Sequence, residues 1–294
     1  MRLTLSAGLL TLLAGCAPAA VPAPVAHDDF VLPADAYAFT VPETGEIDLA
    51  RAMLVGQCMK RFGYAFDAAA ARDMVTRSSR STVADLGRYG NKRRYGVTDP
   101  AIAARYGYHL VSQAAGETPK TDPDSPPGLG HLSATMRVVL TGQSPAQVNG
   151  RPVPKGGCSR TAAEALSPDG VLGEAGVVAE AGGQSYRDSF ADPTVVAAFA
   201  RWSRCMYAKG YAYKTPRDAG AEFDVNSAAV PAAESAAAEA DVVCKQQTHL
   251  VDVWHGYEVA FQNARIKGDA AVFRAAKEDH DARMKRVSDV LKRS

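Results

Sequence analysis

The chain writes one short pattern twice, CMKRFGYAF at Cys58–Phe66 and CMYAKGYAY at Cys205–Tyr213. Each copy reads Cys-Met, three residues, Gly-Tyr-Ala and an aromatic. What precedes each copy has helical period. Ile47, Ala50, Leu54 and Cys58 recur at spacings of three and four, which sets them on one face of an α-helix. Before the second copy, Asp192 is placed to cap a helix and Pro193 suits its first turn. Val195, Phe199, Trp202 and Met206 then form the apolar stripe. Gly63 and Gly210 follow as the left-handed residues on which helices commonly end, and the aromatic alternation after each suits an extended exit. A chain that twice runs helix, glycine stop and extended exit, with a cysteine in the last turn, is expected to be mainly α. It should form two disulfide-stapled helical halves with short extended segments.

The first residues set a second expectation. Arg2 precedes an apolar run, Leu3–Leu13, too short to span a bilayer comfortably. The run ends in LAGC at Leu13–Cys16, followed by APAAVPAPVA. LAGC resembles the lipobox of bacterial lipoproteins. The resemblance implies a signal peptide over 1–15, a diacylglycerol thioether on Cys16 and an acyl chain such as palmitate on the amine freed by cleavage. It also implies lipid anchoring at the extracytoplasmic side of the cell membrane. Ala14 and Gly15 are small enough for an extended chain to enter a peptidase, and Cys16 supplies the thiol. An ordinary secretory signal is the plainer alternative. Residues 16–42, Pro/Ala-rich and without period, are expected to be a tether.

Charge narrows the partners. The chain holds 33 Lys and Arg against 32 Asp and Glu, and bulk nucleic-acid binding needs a net basic footprint. No nucleic-acid partner is expected. Cofactor and catalytic signatures are absent: no H-E-x-x-H, Walker A, G-x-S-x-G or S-x-x-K. The expectation is no cofactor, no metal and no catalysis. Met59 and Met206 beside cysteines have the soft sulfur that suits copper(I), but core packing is the plainer role. Glu164, Glu174, Glu180 and Glu278 carry carboxylates for glycan cleavage, yet no spacing singles out two of them.

With Cys16 assigned to lipid, Cys58, Cys158, Cys205 and Cys244 remain. An even count outside the cytoplasm reads as two disulfides. Four cysteines allow three pairings. One staple per half, Cys58–Cys158 and Cys205–Cys244, is the economical choice, worth about 3–5 kcal/mol each; cross-links between the halves are the alternative. The halves are expected at 43–168, with an insertion over 67–157 that ends in the turn-rich GETPKTDPDSPPGLG, and at 191–294. A Gly-rich connector spans 169–190.

The end of the chain reads as a long antiparallel helical hairpin. Val243, Gln247, Leu250, Trp254, Tyr257 and Phe261 mark one arm over about 231–266. Phe273, Ala276, His280, Met284, Val287 and Leu291 mark the other. The Lys/Arg excess over 264–294 suits helix C-terminal dipoles, with anionic headgroups as a second reading.

The insertion holds the candidate ligand site. Arg-Tyr-Gly occurs at Arg88-Tyr89-Gly90, Arg94-Tyr95-Gly96 and Arg105-Tyr106-Gly107. Over 77–94, Arg77, Arg80, Arg88, Lys92, Arg93 and Arg94 face only Asp85. Guanidinium groups grip phosphate or carboxylate in pairs of hydrogen bonds, and tyrosine faces stack on sugars or cations. Arg88, Tyr89, Arg94, Tyr95, Arg105 and Tyr106 are therefore the candidate contacts to an anionic envelope component. The plainer role is that each tyrosine packs while its glycine turns the chain. His109 and His131 are a further pair to place in space; His249 and His255, six apart, do not share a helix face.

LAGC, the twin Cys-Met-x3-Gly-Tyr segments, RRYGVTDPAIAARYGYH at 93–109, VPKGGC at 153–158 and ADVVCKQQTHLVDVW at 240–254 together resemble a family of lipoproteins of high-GC Gram-positive bacteria. The resemblance spans most of the chain after the leader and implies location and continuity of fold, with no activity attached. The resulting expectation is a lipid-anchored binding or interaction module of the cell envelope. Its expected partners are the membrane through its acyl chains, and a membrane protein or an anionic envelope component. A solute-binding lipoprotein of a transporter, with a cleft between the halves, is the alternative; a wall hydrolase is a third.

Overall fold

The computed structural model describes residues 30–114, 125–143, 147–227 and 229–294. A 3-10 turn at Pro33–Ala36 leads into α1 (Val41–Arg61), α2 (Ala68–Leu86), α3 (Pro100–Tyr106), the single turn α4 (Val111–Ala114) and α5 (Ala134–Thr141). The strands β1 (Gln147–Val148) and β2 (Arg151–Pro152) pair antiparallel, Gln147 opposite Pro152. Then come α6 (Gly157–Leu166), α7 (Gly176–Ser189), α8 (Pro193–Ala208), α9 (Pro216–Ala221), α10 (Ala232–Thr248), α11 (Leu250–Gly268) and α12 (Ala270–Arg293). The fold is mainly α, and β1–β2 is its only sheet among the described residues. There, too, no helix is long and apolar enough to cross a membrane.

The two copies of the repeat close their helices with the same hydrogen bonds. At the end of α1, Tyr64 N–H donates to Met59 O (3.2 Å) and Gly63 N–H to Lys60 O (3.0 Å). At the end of α8, Tyr211 N–H donates to Met206 O and Gly210 N–H to Tyr207 O, both at 3.0 Å. Both glycines have positive φ, 85° and 92°, the conformation this paired cap demands. The spacing of the motif follows from the cap. Methionine accepts the bond from five residues on and is buried, glycine turns the chain, and tyrosine, three places past the last helical residue, packs back on the methionine's cluster. The cysteine, one residue before methionine, reaches a neighbouring helix. Cys58 is bonded to Cys158 on α6 and Cys205 to Cys244 on α10, so each half carries its own staple. Met59 and Met206 are fully buried core residues, and the sulfurs of the adjacent Cys58 and Cys205 are taken up in the disulfides to Cys158 and Cys244.

The segments between the repeats are interleaved. α1 packs against α2, α6 and α12, so the last helix of the second half closes the core of the first. Ile47, Met53, Val75, Leu166, Val287 and Val290 share that cluster. In exchange, α3 packs on α10, with Val97, Ala103, Ala238 and Val242 in contact. α11 lies against α7 and α8, and Trp202, Phe199, Leu250 and Trp254 form the largest aromatic core with Phe30 and Tyr95.

Three features differ from the sequence expectation. Residues 30–40, assigned to the tether, lie on the body: Phe30, Leu32 and Ala34 are buried, and Ala34 N–H donates to Gln262 Oε1 (3.0 Å). The Gly-rich connector contains α7, whose Val178, Ala181 and Ser185 are buried; contact with α11 outweighs the weak helix propensity of its glycines. The first arm of the hairpin is broken. His249 takes φ 51° and separates α10 from α11, and Val243 and Gln247 face solvent while Asp241 and Lys245 face inward. The second arm keeps its expected seam through Phe273, Ala276, His280 and Val287. Cys16 and residues 116–124 of the turn-rich run lie outside the described residues.

Candidate functional site

The Arg-Tyr-Gly copies share a backbone role and little else. Gly90, Gly96 and Gly107 all have positive φ, at 79°, 77° and 56°. Two of them also admit buried charge: a Cβ at Gly96 would lie 2.8 Å from Lys245 Nζ, and one at Gly107 would lie 2.5 Å from Glu234 Oε1. Arg88 is exposed and Tyr89 half-buried. Arg105 is exposed and lies over its own neighbour Tyr106, 5.1 Å from the ring centroid. The middle copy goes inward.

Arg94 and Tyr95 converge on Glu258 of α11. Arg94 donates through Nε to Oε2 (2.8 Å) and through Nη2 to Oε1 (2.5 Å), and Nη2 also donates to Gly182 O of α7 (2.6 Å). Tyr95 Oη donates to Glu258 Oε2 (2.7 Å) and Ser185 Oγ to Oε1 (2.8 Å). Gln262 extends the network by donating to Ser185 Oγ (2.9 Å). Burial disfavours the charge on Arg94, and the bonds and charge of Glu258 more than offset it, so the guanidinium sits above its ordinary range. Burial, and then the charge of Glu258, push the Tyr95 hydroxyl far up, which keeps it a donor. A paired buried charge of this kind is costly to break from one side.

A second network lies on α10. Lys245 Nζ donates to Asp241 Oδ2 (2.8 Å) and Val97 O (2.9 Å), and Trp202 Nε1 donates to Asp241 Oδ1 (2.9 Å). Burial pushes Asp241 up and Lys245 down, each opposed by the other's charge. Glu234 accepts from Tyr108 N–H (2.7 Å) and faces His109 Nδ1 (2.8 Å). His109 Nε2 faces Ser227 O (3.0 Å). His109 is buried and His131 exposed, so these histidines have different roles. His255 Nε2 faces Val31 O (3.0 Å) and His249 forms the helix break.

Between these networks opens a cavity of about 290 Å³. Arg93, Arg94 and Arg217 line it together with Tyr95, Tyr108, Tyr186 and Trp254, and Gly96, Val97, Pro216, Gly220 and Val225 complete the wall. No Asp or Glu is among the lining residues. Arg93 is held by Tyr108 O and His109 O, both 2.8 Å from Nη2. Burial lowers its basicity, opposed by the charge of Asp85, and an arginine stays cationic at neutral pH throughout. Arg94 stacks over Tyr186 at 5.2 Å and Arg217 over Phe190 at 5.5 Å. Tyr186 in turn stacks on Trp254, centroids 5.5 Å apart. The lining comes from both halves and the connector: the 93–97 loop and Tyr108 from the first half, α7 from the connector, and α9 and α11 from the second half.

A larger cavity, about 540 Å³, lies between α1 and α2. Thr44, Ser78, Ser79 and Thr82 line it with Met74 and Val75, and Asp48 and Arg51 are its only charged groups. Hydroxyls and one balanced pair do not select a ligand charge. The smaller cavity does, so it is the stronger site.

Of the six candidate residues, the structure brings Arg94 and Tyr95 to this cavity and leaves Arg88, Tyr89, Arg105 and Tyr106 outside its lining. Of the remaining basic run, Arg77 pairs with Asp73 (2.7 Å) and Lys92 donates to Ala84 O (3.0 Å). Glu164 and Glu180 are held in surface pairs with Arg160 and Arg187. In the C-terminal basic stretch, Arg265, Lys277, Arg283 and Lys285 pair with Asp269, Asp281, Asp279 and Asp289. Sequence reasoning missed Arg217, Tyr186 and Glu258. A signal for Glu258 existed: it follows Trp254 by four residues and so falls on the apolar stripe. No protein family, curated protein or solved structure matches the chain.

Proposed function

We propose that this chain is a lipid-anchored binding module of the cell envelope, and that its cavity takes a small anion bearing a flat or apolar group. One observation carries the ligand class: three guanidinium groups and four aromatic side chains converge on a lining without a carboxylate. Guanidinium donors match the geometry of phosphate and carboxylate oxygens, and the rings offer faces for the rest of the molecule. The chemistry is that of holding rather than attacking. Arginine is too basic to accept a proton, and burial keeps the Tyr95 and Tyr108 hydroxyls protonated. The position of the cavity between the halves favours capture of a small solute over docking of a large polymer. Anchoring through Cys16 is the part of the proposal that rests on LAGC alone.

Titration calorimetry with phenyl phosphate, inorganic phosphate and phenol tests the ligand class. Phenyl phosphate should bind tighter than either fragment. Arg217→Gln, an exposed change that leaves the buried networks intact, should weaken it about tenfold. Equal binding of phenol, or an indifferent Arg217→Gln, overturns the reading. For the anchor, Cys16→Ala should move the protein from the membrane to the soluble fraction, and unchanged retention argues against the lipobox.

A further inference from the structure

From Pro193 to Arg217 the chain carries Arg201, Arg204, Lys209, Lys214 and Arg217 and no Asp or Glu. Among the described residues none of these five cations pairs with a carboxylate. All five are exposed. Elsewhere acidic residues stand among the basic ones and several pair with them: Arg77 with Asp73, Arg94 with Glu258, and Arg265, Lys277, Arg283 and Lys285 with Asp269, Asp281, Asp279 and Asp289. What sets α8 and the loop after it apart is five exposed cations in 25 residues with no acidic residue among them.

The same helix face is partly apolar. At about 100° per residue, Val196, Ala200, Arg201, Arg204 and Tyr207 fall within an arc of about 140°. That arc lies opposite the buried Val195, Phe199, Trp202 and Met206. Tyr207 is 76% exposed and Val196 45% exposed, two of the few large apolar side chains left in water. Beyond the glycine cap, Tyr211 stacks flat on Tyr213, centroids 5.9 Å apart and planes within 10°, which firms the loop that carries Lys209 and Lys214.

We propose that the outer face of α8 with the 209–214 loop is a membrane-contact surface that seats the protein on an anionic bilayer. Cations alone would serve any polyanion. An exposed tyrosine and valine among them fit the headgroup region, where amphipathic rings settle and Lys and Arg stems lie on apolar surface with their charges in water. The surface stands independently of the Cys16 anchor and of the cavity, and its charge would hold one orientation against anionic lipid.

The test is vesicle co-sedimentation of the full chain carrying Cys16→Ala, with phosphatidylcholine vesicles with and without phosphatidylglycerol. The ratio of the two partition coefficients is the readout, because the Leu3–Leu13 run contributes to both. The ratio should exceed one and fall about fivefold for each charge removed in the series Arg201→Gln, Arg204→Gln, Lys209→Gln. Arg77→Gln with Arg80→Gln should leave it unchanged. Tyr207→Ala should lower binding to the anionic vesicles several-fold at constant charge. These are surface changes, and an unshifted thermal midpoint confirms that each variant is folded. A ratio that ignores the triple variant overturns the proposal. So does a Tyr207→Ala protein that binds vesicles like its parent while soluble polyglutamate competes fully, since that pattern identifies a polyanion site.

Discussion

The ends of α1 and α8 are the same device in two settings. Both close with the same pair of hydrogen bonds over a positive-φ glycine, both bury the methionine, and both anchor the last turn through a disulfide. Their surroundings diverge. The first cap is covered: Asn149 Nδ2 donates to Phe62 O (2.5 Å), and Phe66 folds back so closely on α1 that a Cβ at Gly56 would meet its ring at 2.3 Å. Nothing lies within 4 Å of a Cβ at Gly210. The charge differs as well, with Glu43, Glu46 and Asp48 offsetting Arg51, Lys60 and Arg61 along α1 while α8 carries basic residues alone. A backbone motif of five or six residues sets local geometry, and the residues in between set what that geometry is used for.

The largest test of the equivalence is removal of the staples. Replacing Cys58 and Cys158 by alanine should lower the unfolding free energy by about 5 kcal/mol, and replacing Cys205 and Cys244 by about 4 kcal/mol. The order follows from sequence separations of 100 and 39, and urea denaturation that inverts it would show the two staples acting by different means. Next in size are the caps. Gly63→Ala and Gly210→Ala should each cost about 1–2 kcal/mol from the left-handed conformation alone. Asn149 Nδ2, 3.5 Å from a Cβ at Gly63, adds only ordinary contact. Unequal losses in thermal midpoint would break the structural identity of the copies.

The smallest test concerns the other end of α1, where Thr40 and Glu43 cap each other, Thr40 N–H donating to Glu43 Oε2 at 2.8 Å. Burial alone would raise the Glu43 carboxyl; hydrogen bonds from Thr40 and the nearby His280 outweigh it and hold the group below its usual value of 4.5. A carboxyl depressed in the folded state adds stability above its unfolded pKa and loses it as the pH falls through the folded one. Glu43→Gln should therefore lower the urea midpoint at pH 7 and make less difference near pH 3. An equal effect at both would remove ionisation from the role of the cap.

Much of the fold was legible because it is written locally. Asp192 and Pro193 start α8, Gly63 and Gly210 stop their helices, and Phe273 to Val287 keep one period along α12. The break at His249 was not, since a histidine in the left-handed region carries no glycine or proline to announce it. α7 was hidden by its glycines and is held by α11. Of the site, Arg94 and Tyr95 were legible as a pair; Glu258 showed only as a carboxylate on an apolar stripe and Arg217 not at all, and that either meets the pair was hidden because both lie in the other half.

The sequence alone determined the repeated cap, the helical class and the location of the four cysteines, for each depends on interactions a few residues apart. The tertiary structure decided which cysteines joined, that α12 would close the first core and α3 cover α10, and which arginines would stay free. Arg94 meets its carboxylate 164 positions away and the carbonyl of Gly182 88 positions away, while the cations of α8 find none. Whether a charge is neutralised depends on what the folded chain brings within a few ångströms of it, and local order carries no record of that distance.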